Sequence, residues 1–278
     1  REIVLSILED SKGNLWVGTE GNGLYLIDLN KGKVDILPYD HSIISNTSIW
    51  SLFEDSNGII WIGTYANGLN KIDPLHIAIN NLNTKIDIKN TLRNKITSSF
   101  VTDSTGNVYI ATDGDGLRVF DPATGTIKQT YQSTLRDKMS IASDAILDLH
   151  LDKSGSIWVS TWNGGLSLLN PKSHHFKNFP VQTGLPNSLS GDGIFDIEED
   201  GKGNLWLAVY QRGIDIFNVA TGEFKKMTAD INDSLSLSSS KVKVIKSIGA
   251  GEFFIGTENA GVDHIRVDEK YRIIYKKN

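Results

Sequence analysis

Apolar residues fall along this chain in short bursts, and the bursts keep a fixed order. Stretches such as "VLSILED", "IWSLFED" and "IFDIEED" are apolar-rich and end on an acid. A brief turn, "DSKGN" or "DSNGI", leads to a second apolar run that carries an aromatic residue. A third run opens on a glycine ("LYLID", "LNKID", "LRVFD", "IDIFN"), and a weaker fourth follows a Thr-Gly or Lys-Gly turn ("TIKQTY", "HFKNF", "EFKKM"). Short runs bounded by Gly, Asp and Asn predict β-strands, and no segment sustains a helical period. The first two strands of each set are apolar on both faces, so each must be covered from both sides.

The set recurs. Trp16 in "GNLWVGTEGNGLYLID" has counterparts in Trp61, Tyr109, Trp158, Trp206 and Phe254, at steps of 45, 48, 49, 48 and 48 residues. A fixed period of this length marks a repeat architecture. Four antiparallel strands per repeat, buried between like neighbours, predict an all-β fold, a β-propeller of four-stranded blades. A single propeller fills residues 1–278, with blades at about 3–39, 48–84, 95–132, 144–180, 193–228 and 241–275. Six repeats are visible, giving six blades, or seven if flanking chain supplies one more.

Composition narrows the chemistry. The chain has 278 residues, 26 glycines, six tryptophans and no cysteine, with a net charge of −5. Interspersed charge gives no basic field for nucleic acid. Without cysteine there are no disulfides and no thiol catalysis. No apolar run is long enough to span a bilayer, so this segment itself makes no membrane contact. The chain starts at Arg1 without methionine or a signal-like stretch and reads as a mature or excised piece of something longer.

Most of the repeated polar residues are turn chemistry. The Asp-x-x-Gly corners (Asp10 to Gly13, Asp55 to Gly58, Asp103 to Gly106, Asp152 to Gly155, Asp200 to Gly203) fit an Asp that accepts local backbone N–H bonds and a Gly at positive φ. Calcium would need more oxygens per loop, and no metal site is expected. Asn22-Gly23, Asn67-Gly68, Asp115-Gly116 and Gly164-Gly165 read as type I′ hairpin dipeptides. The residue after the second strand varies within this strict frame: Glu20, Tyr65, Asp113, Trp162, Tyr210, Glu258. In a propeller this loop shares a face with the loops joining blades, so these side chains ring the channel mouth. With Asn67, Asp115, Asn163, Gln211 and Arg212 they form a mixed aromatic and hydrogen-bonding rim, suited to a sugar or to a protein partner. Ten residues before each aromatic stand Ser6, Ser51, Ser99, Asp148 and Asp196, a polar ring expected along the channel, bonded to backbone or to water.

Catalytic patterns are thin. The histidines His41, His76, His150, His174, His175 and His264 fall at unrelated positions, and neither a Gly-x-Ser-x-Gly elbow nor a phosphate loop occurs. No catalytic residue and no cofactor are expected.

"SILEDSKGNLWVGTEGNGLYLID" and "GIFDIEEDGKGNLWLAVYQRGIDIF" closely resemble the regulator-propeller repeats of bacterial hybrid two-component sensors. The loops "SIISNTSIW", "SIASDAILDL", "NSLSGDGIFDI" and "DSLSLSSSKV" carry the Ser-Leu-Ser-like lead that such repeats use. The frame departs at Tyr109, at Val209 in place of Thr, at Ile248 in place of the corner Asp, and over Pro74 to Asn94. The resemblance implies a periplasmic sensor region that recognises glycan-derived oligosaccharides and signals through a histidine kinase not in this chain. It also implies a neighbouring propeller as a partner. Two other readings stay open: a structural propeller that packs against that neighbour or dimerises, and a propeller glycosidase or lyase. Against the enzyme, "DSKGNLW" resembles a sialidase aspartate box with one residue too many, and the seven arginines do not fall at three matching inward positions.

Overall fold

Each burst of the repeat is a strand in the computed structural model, which describes residues 3–28, 33–37, 44–55, 58–72, 96–124 and 126–278. Blade 1 is β1 (Val4–Glu9), β2 (Asn14–Thr19), β3 (Leu24–Asp28) and β4 (Lys33–Leu37). Blade 2 holds β5 (Ile49–Glu54), β6 (Ile60–Thr64) and β7 (Gly68–Ile72); its expected fourth strand and the irregular stretch after Pro74 lie outside the described residues. Blade 3 is β8 (Thr97–Thr102), β9 (Val108–Thr112), β10 (Leu117–Asp121) and β11 (Thr126–Tyr131). Blade 4 is β12 (Ile146–Leu151), β13 (Ile157–Thr161), β14 (Leu166–Asn170) and β15 (His175–Phe179). Blade 5 is β16 (Ile194–Glu199), β17 (Asn204–Val209), β18 (Gly213–Asn218) and β19 (Phe224–Met227). Blade 6 is β20 (Val242–Gly249), β21 (Glu252–Thr257), β22 (Val262–Val267) and β23 (Ile273–Lys277). Strands pair in chain order and antiparallel. The first strand of each blade lies beside that of the next, and β20 meets β1, so six blades close a six-bladed propeller.

The corner Asp anchors more than its turn. Asp10 accepts the N–H groups of Lys12 (3.0 Å) and Asn14 (2.8 Å), and its other oxygen accepts the indole N–H of Trp16 at 2.9 Å. Asp55 holds Trp61 at 2.9 Å and Asp152 holds Trp158 at 3.2 Å. In blade 3 the Tyr109 hydroxyl bonds Asp103, and burial, with this carboxylate beside it, pushes the phenol up to about 12. Blade 6 has Ile248 at the corner and Phe254 at the ring. A ring with no N–H or O–H needs no acceptor, so both departures share one cause. In blade 5 Tyr271 donates to Asp200 instead, and the Trp206 N–H is left without a partner.

Those rings fill the spaces between blades. Trp16 packs with Ile60 and Ile62 of blade 2, Trp61 with Phe100 and Ile110 of blade 3, and Trp206 with Ile245, Phe253 and Ile255 of blade 6. Burying an aromatic of this size is worth about 2–3 kcal/mol. The sixth junction, between blades 6 and 1, is looser. Trp206 and Ile214 are fully buried, whereas their blade 6 counterparts Phe254 and Val262 are 38% and 39% exposed. Across from them Leu15 and Val17 of blade 1 are only half-buried.

The turn joining strands two and three is not type I′. Positive φ falls on the third residue in every blade and also on the first at Gly21, Ala66, Gly114 and Gln211, and it skips the residue before the third in all of them. The threonine before the turn ties its two ends together. Thr19 donates both its N–H (3.1 Å) and its hydroxyl (2.8 Å) to the Gly23 carbonyl, and Thr64, Thr112, Thr161 and Thr257 repeat the hydroxyl bond. The Ser-Leu-Ser lead is structural as well. Ser188 and Ser236 each bond the N–H and the carbonyl of the residue six positions earlier, closing the loop between blades. Leu189 and Leu237 then plug the core.

Candidate functional site

One backbone bond per blade places the variable residues at the channel mouth. The N–H groups of Glu20, Tyr65, Asp113, Trp162, Tyr210 and Glu258 donate to the carbonyls of Ile3, Ser48, Ile96, Ala145, Gly193 and Lys241, at 2.8–3.2 Å. Each of these carbonyls lies just before the first strand of the same blade. The side chains are thereby held over the start of the innermost strands. Tyr65, Trp162 and Tyr210 stay 46%, 44% and 39% exposed.

The best-formed part of the rim lies between blades 4 and 5. Trp162 and Tyr210 stand 5.0 Å apart by ring centroid, and each lies 5.7 Å from Phe195. With Asn163, Asp192, Gln211 and Arg212 they wall a cavity of about 430 Å³. The loop backbone at Gly193 makes this close approach possible. A Cβ there would sit 2.9 Å from the Trp162 carbonyl and 3.4 Å from the Tyr210 Cβ. Five of the residues singled out from sequence, Trp162, Asn163, Tyr210, Gln211 and Arg212, meet in this groove; Asp192, from the loop joining the blades, was missed.

A second cavity of about 340 Å³ lies on the axis. Its wall takes one residue per blade, eleven positions before the repeat aromatic: Leu5, Trp50, Ser98, Leu147, Phe195 and Lys243. Ile3, Glu20 and Glu258 complete it. The Lys243 ammonium lies 3.6 Å from the Phe195 ring centroid and 3.5 Å from Glu258. Burial holds this ammonium below the usual lysine range, against the opposing pull of Glu258. Sequence reasoning missed this ring, although its signal was present: the position holds five residue types in six repeats.

The remaining rim residues are drawn into the frame. Tyr65 stacks on Trp50 at 5.6 Å. Asn67 donates to the Ser45 carbonyl, and Asp115 is buried beneath the rim in a 2.5 Å ion pair with Arg118. Asp113 bridges by its backbone to Ala145. Glu20 and Glu258 face the axial cavity and not the groove.

The ring at the tenth position joins blade to blade. Ser6 bonds the Ile49 carbonyl (3.4 Å), Ser99 accepts from Leu149 (3.2 Å), Asp148 from Ile197 (2.8 Å) and Asp196 from Ile245 (2.5 Å). Ser51 has no bonded partner. Burial pushes the Asp148 carboxyl up, and burial together with the Asp148 charge pushes Asp196 well above the usual carboxylate range. Among the described residues no three His, Asp or Glu converge as metal ligands.

Residues 2–21 and 43–66 match the family described as two component regulator propeller, so blades 1 and 2 carry that repeat. No curated protein sequence matches the chain. The fold is that of the extracellular domain of BT3049 from B. thetaiotaomicron, described as a hybrid two component system. That likeness has 19% identity and a TM-score of 0.66, covering 94% of this chain and 39% of that one. The extracellular domain of BT4673 from the same organism, described likewise, matches at 22% identity and TM-score 0.59, covering 99% and 42%. Virginiamycin B lyase from Staphylococcus aureus matches at 18% identity and TM-score 0.68, covering 99% and 83%. The chain spans about two fifths of the length of the two extracellular domains. Among the described residues no helix is long and apolar enough to cross a membrane.

Proposed function

We propose that this chain is a periplasmic sensing propeller of a two-component receptor, and that it binds a glycan-derived oligosaccharide in the groove between blades 4 and 5. The observation that carries this reading is the groove itself. Two exposed aromatic rings stand side by side with an amide on either flank, a guanidinium and a carboxylate around 430 Å³. Rings stack on the apolar faces of sugars while amides and charged groups bond hydroxyls, and the volume lies in the range of ligand sites. The reading is non-catalytic. The groove holds one carboxylate, Asp192, where glycoside hydrolysis uses a facing pair. Virginiamycin B lyase shares the fold, and a fold alone does not carry an activity. Signalling would pass to a histidine kinase outside this chain, through a ligand that favours one receptor arrangement over another.

Calorimetric titration of purified protein against a glycan-oligosaccharide library tests the reading. Saturable binding is expected, weakened about tenfold by Trp162→Ala and by Tyr210→Ala, in keeping with one lost ring contact each. Both variants binding like wild type, or turnover of the bound glycan, would overturn it. A second role is favoured by the half-open apolar faces of blades 6 and 1, which suit packing against a neighbouring propeller or a second copy. Light scattering of the ligand-free protein reads out the latter.

A further inference from the structure

The axial cavity does not belong to the groove, yet the two share a wall. Phe195 lines the axial cavity and touches both Trp162 and Tyr210 of the groove. A second aromatic run, Trp50 with Tyr65 stacked on it, climbs from the same cavity to the rim on blade 2. In a ring of six, blades three apart stand across the axis from each other. The six residues of the cavity wall therefore pair by chemistry: Trp50 faces Phe195, Leu5 faces Leu147, and Ser98 faces Lys243.

The cavity is thus a slot with two apolar axes and one polar axis. Its polar groups are already committed in a way that fixes what they can still offer. The Ser98 hydroxyl donates to the Ile146 carbonyl at 2.7 Å, which leaves it as an acceptor. Lys243 is held by Glu258 and lies over the Phe195 ring, and since an ammonium carries three donors it keeps one to offer a guest. Its charge is balanced, so the slot has no strong call for an anion.

We propose that this slot captures the terminal sugar of the oligosaccharide end-on, a pyranose gripped by both faces between Trp50 and Phe195. One edge donates a hydroxyl to Ser98, and the opposite edge accepts from Lys243. The next units lie over Phe195 into the groove between blades 4 and 5. This rests on the oligosaccharide reading of that groove, and it adds that the chain end, and not an internal stretch, is what the protein reads. The diversity of the ring across the repeats follows, since a structural position in the same frame has no reason to hold five residue types in six repeats.

The test uses neutral tetrasaccharides with different end units (cellotetraose, mannotetraose, xylotetraose and β-1,4-galactotetraose), titrated calorimetrically against wild-type protein and variants. Leu147→Trp fills the slot without touching the groove and should lower the affinity of the best ligand by tenfold or more. Trp50→Ala, which opens the slot, should lower it about tenfold, and Trp50→Phe should restore most of it. If the Leu147 and Trp50 variants bind like wild type while Trp162→Ala weakens binding, the end-on inference is wrong and the groove reading stands. If the slot variants weaken binding and the Trp162 and Tyr210 variants do not, the slot is the site and the groove reading falls. If none of these sugars binds the wild type, both fall.

Discussion

Removing the corner carboxylate of one blade tests how the frame is held. In Asp10→Ala, the indole N–H of Trp16 loses its 2.9 Å acceptor inside a nearly dry space, since Trp16 is 6% exposed. A buried donor left unpaired costs about 1–3 kcal/mol. The backbone N–H groups of Lys12 and Asn14 lose their acceptor too, but they lie at a turn that water reaches, so they add about 1 kcal/mol together. The expected loss is about 2–4 kcal/mol, read as a lower urea midpoint by circular dichroism with an unchanged slope. Trp16→Phe keeps a ring and removes the N–H, reproducing the combination found in blade 6. In that background Asp10→Ala should cost about 1–2 kcal/mol less than in wild type. Additivity within about 0.5 kcal/mol would refute the bond between corner and ring as a source of stability, and with it the shared cause given for Ile248 and Phe254. The same bonds, from Asn14 and Trp16 above all, outweigh burial and hold the Asp10 carboxyl below its usual 3.8. A depressed acid contributes stability that is present above the unfolded pKa and lost as pH falls through the folded one, so this contribution fades only in strong acid.

Asp196 behaves with the opposite sign. Its carboxyl is raised by burial and by the Asp148 charge, so its folded form favours the proton, and stability falls as pH rises from the unfolded value through the folded one. Asp196→Asn, which keeps an acceptor for the Ile245 N–H, should raise the melting temperature at pH 8 and flatten its dependence between pH 5 and 8; an unchanged slope would rule this out. Gly213→Ala should destabilise by about 1–3 kcal/mol, because φ there is +86° and a Cβ would lie 2.2 Å from the Met227 carbonyl oxygen. A thermal shift within error would show that the turn relaxes.

The propeller was legible because its frame is local. Strand, corner, ring and turn all lie within one repeat, and each repeats its spacing. The rim was legible at Trp162, Tyr210 and their amide neighbours for the same reason: variation inside a fixed frame stands out. The polar ring of Ser6, Ser51, Ser99, Asp148 and Asp196 was expected to bond backbone or water, and four of its five members bond the backbone of the next blade; the neighbouring eleventh position, which lines the axial cavity, was not singled out. Strict alternation along a strand would turn only one of these two adjacent positions inward, and every first strand breaks alternation with a register shift, as between Val4 and Ser6 or Ile146 and Asp148. A bulge re-aims side chains. Here it turns the eleventh residue to the axis and leaves the tenth bonding the next blade. Nothing in composition or period announces such a shift.

The junction of blades 6 and 1 makes the molecule a split washer and not a welded hoop. Among the described residues the two end blades are separate sheets that share no strand, so the gap can spring apart without tearing a sheet. In a linear array of repeats, a weak contact sets where fraying begins. Amide exchange should therefore be fastest in Val4–Asp28 and Val242–Lys277, and slowest in blades 4 and 5. Glu20 stands on one lip of the split and Lys243 with Glu258 on the other. Any spreading of the lips widens the bore at its throat, so the aperture through which a guest is gripped is set by the least secure joint in the ring.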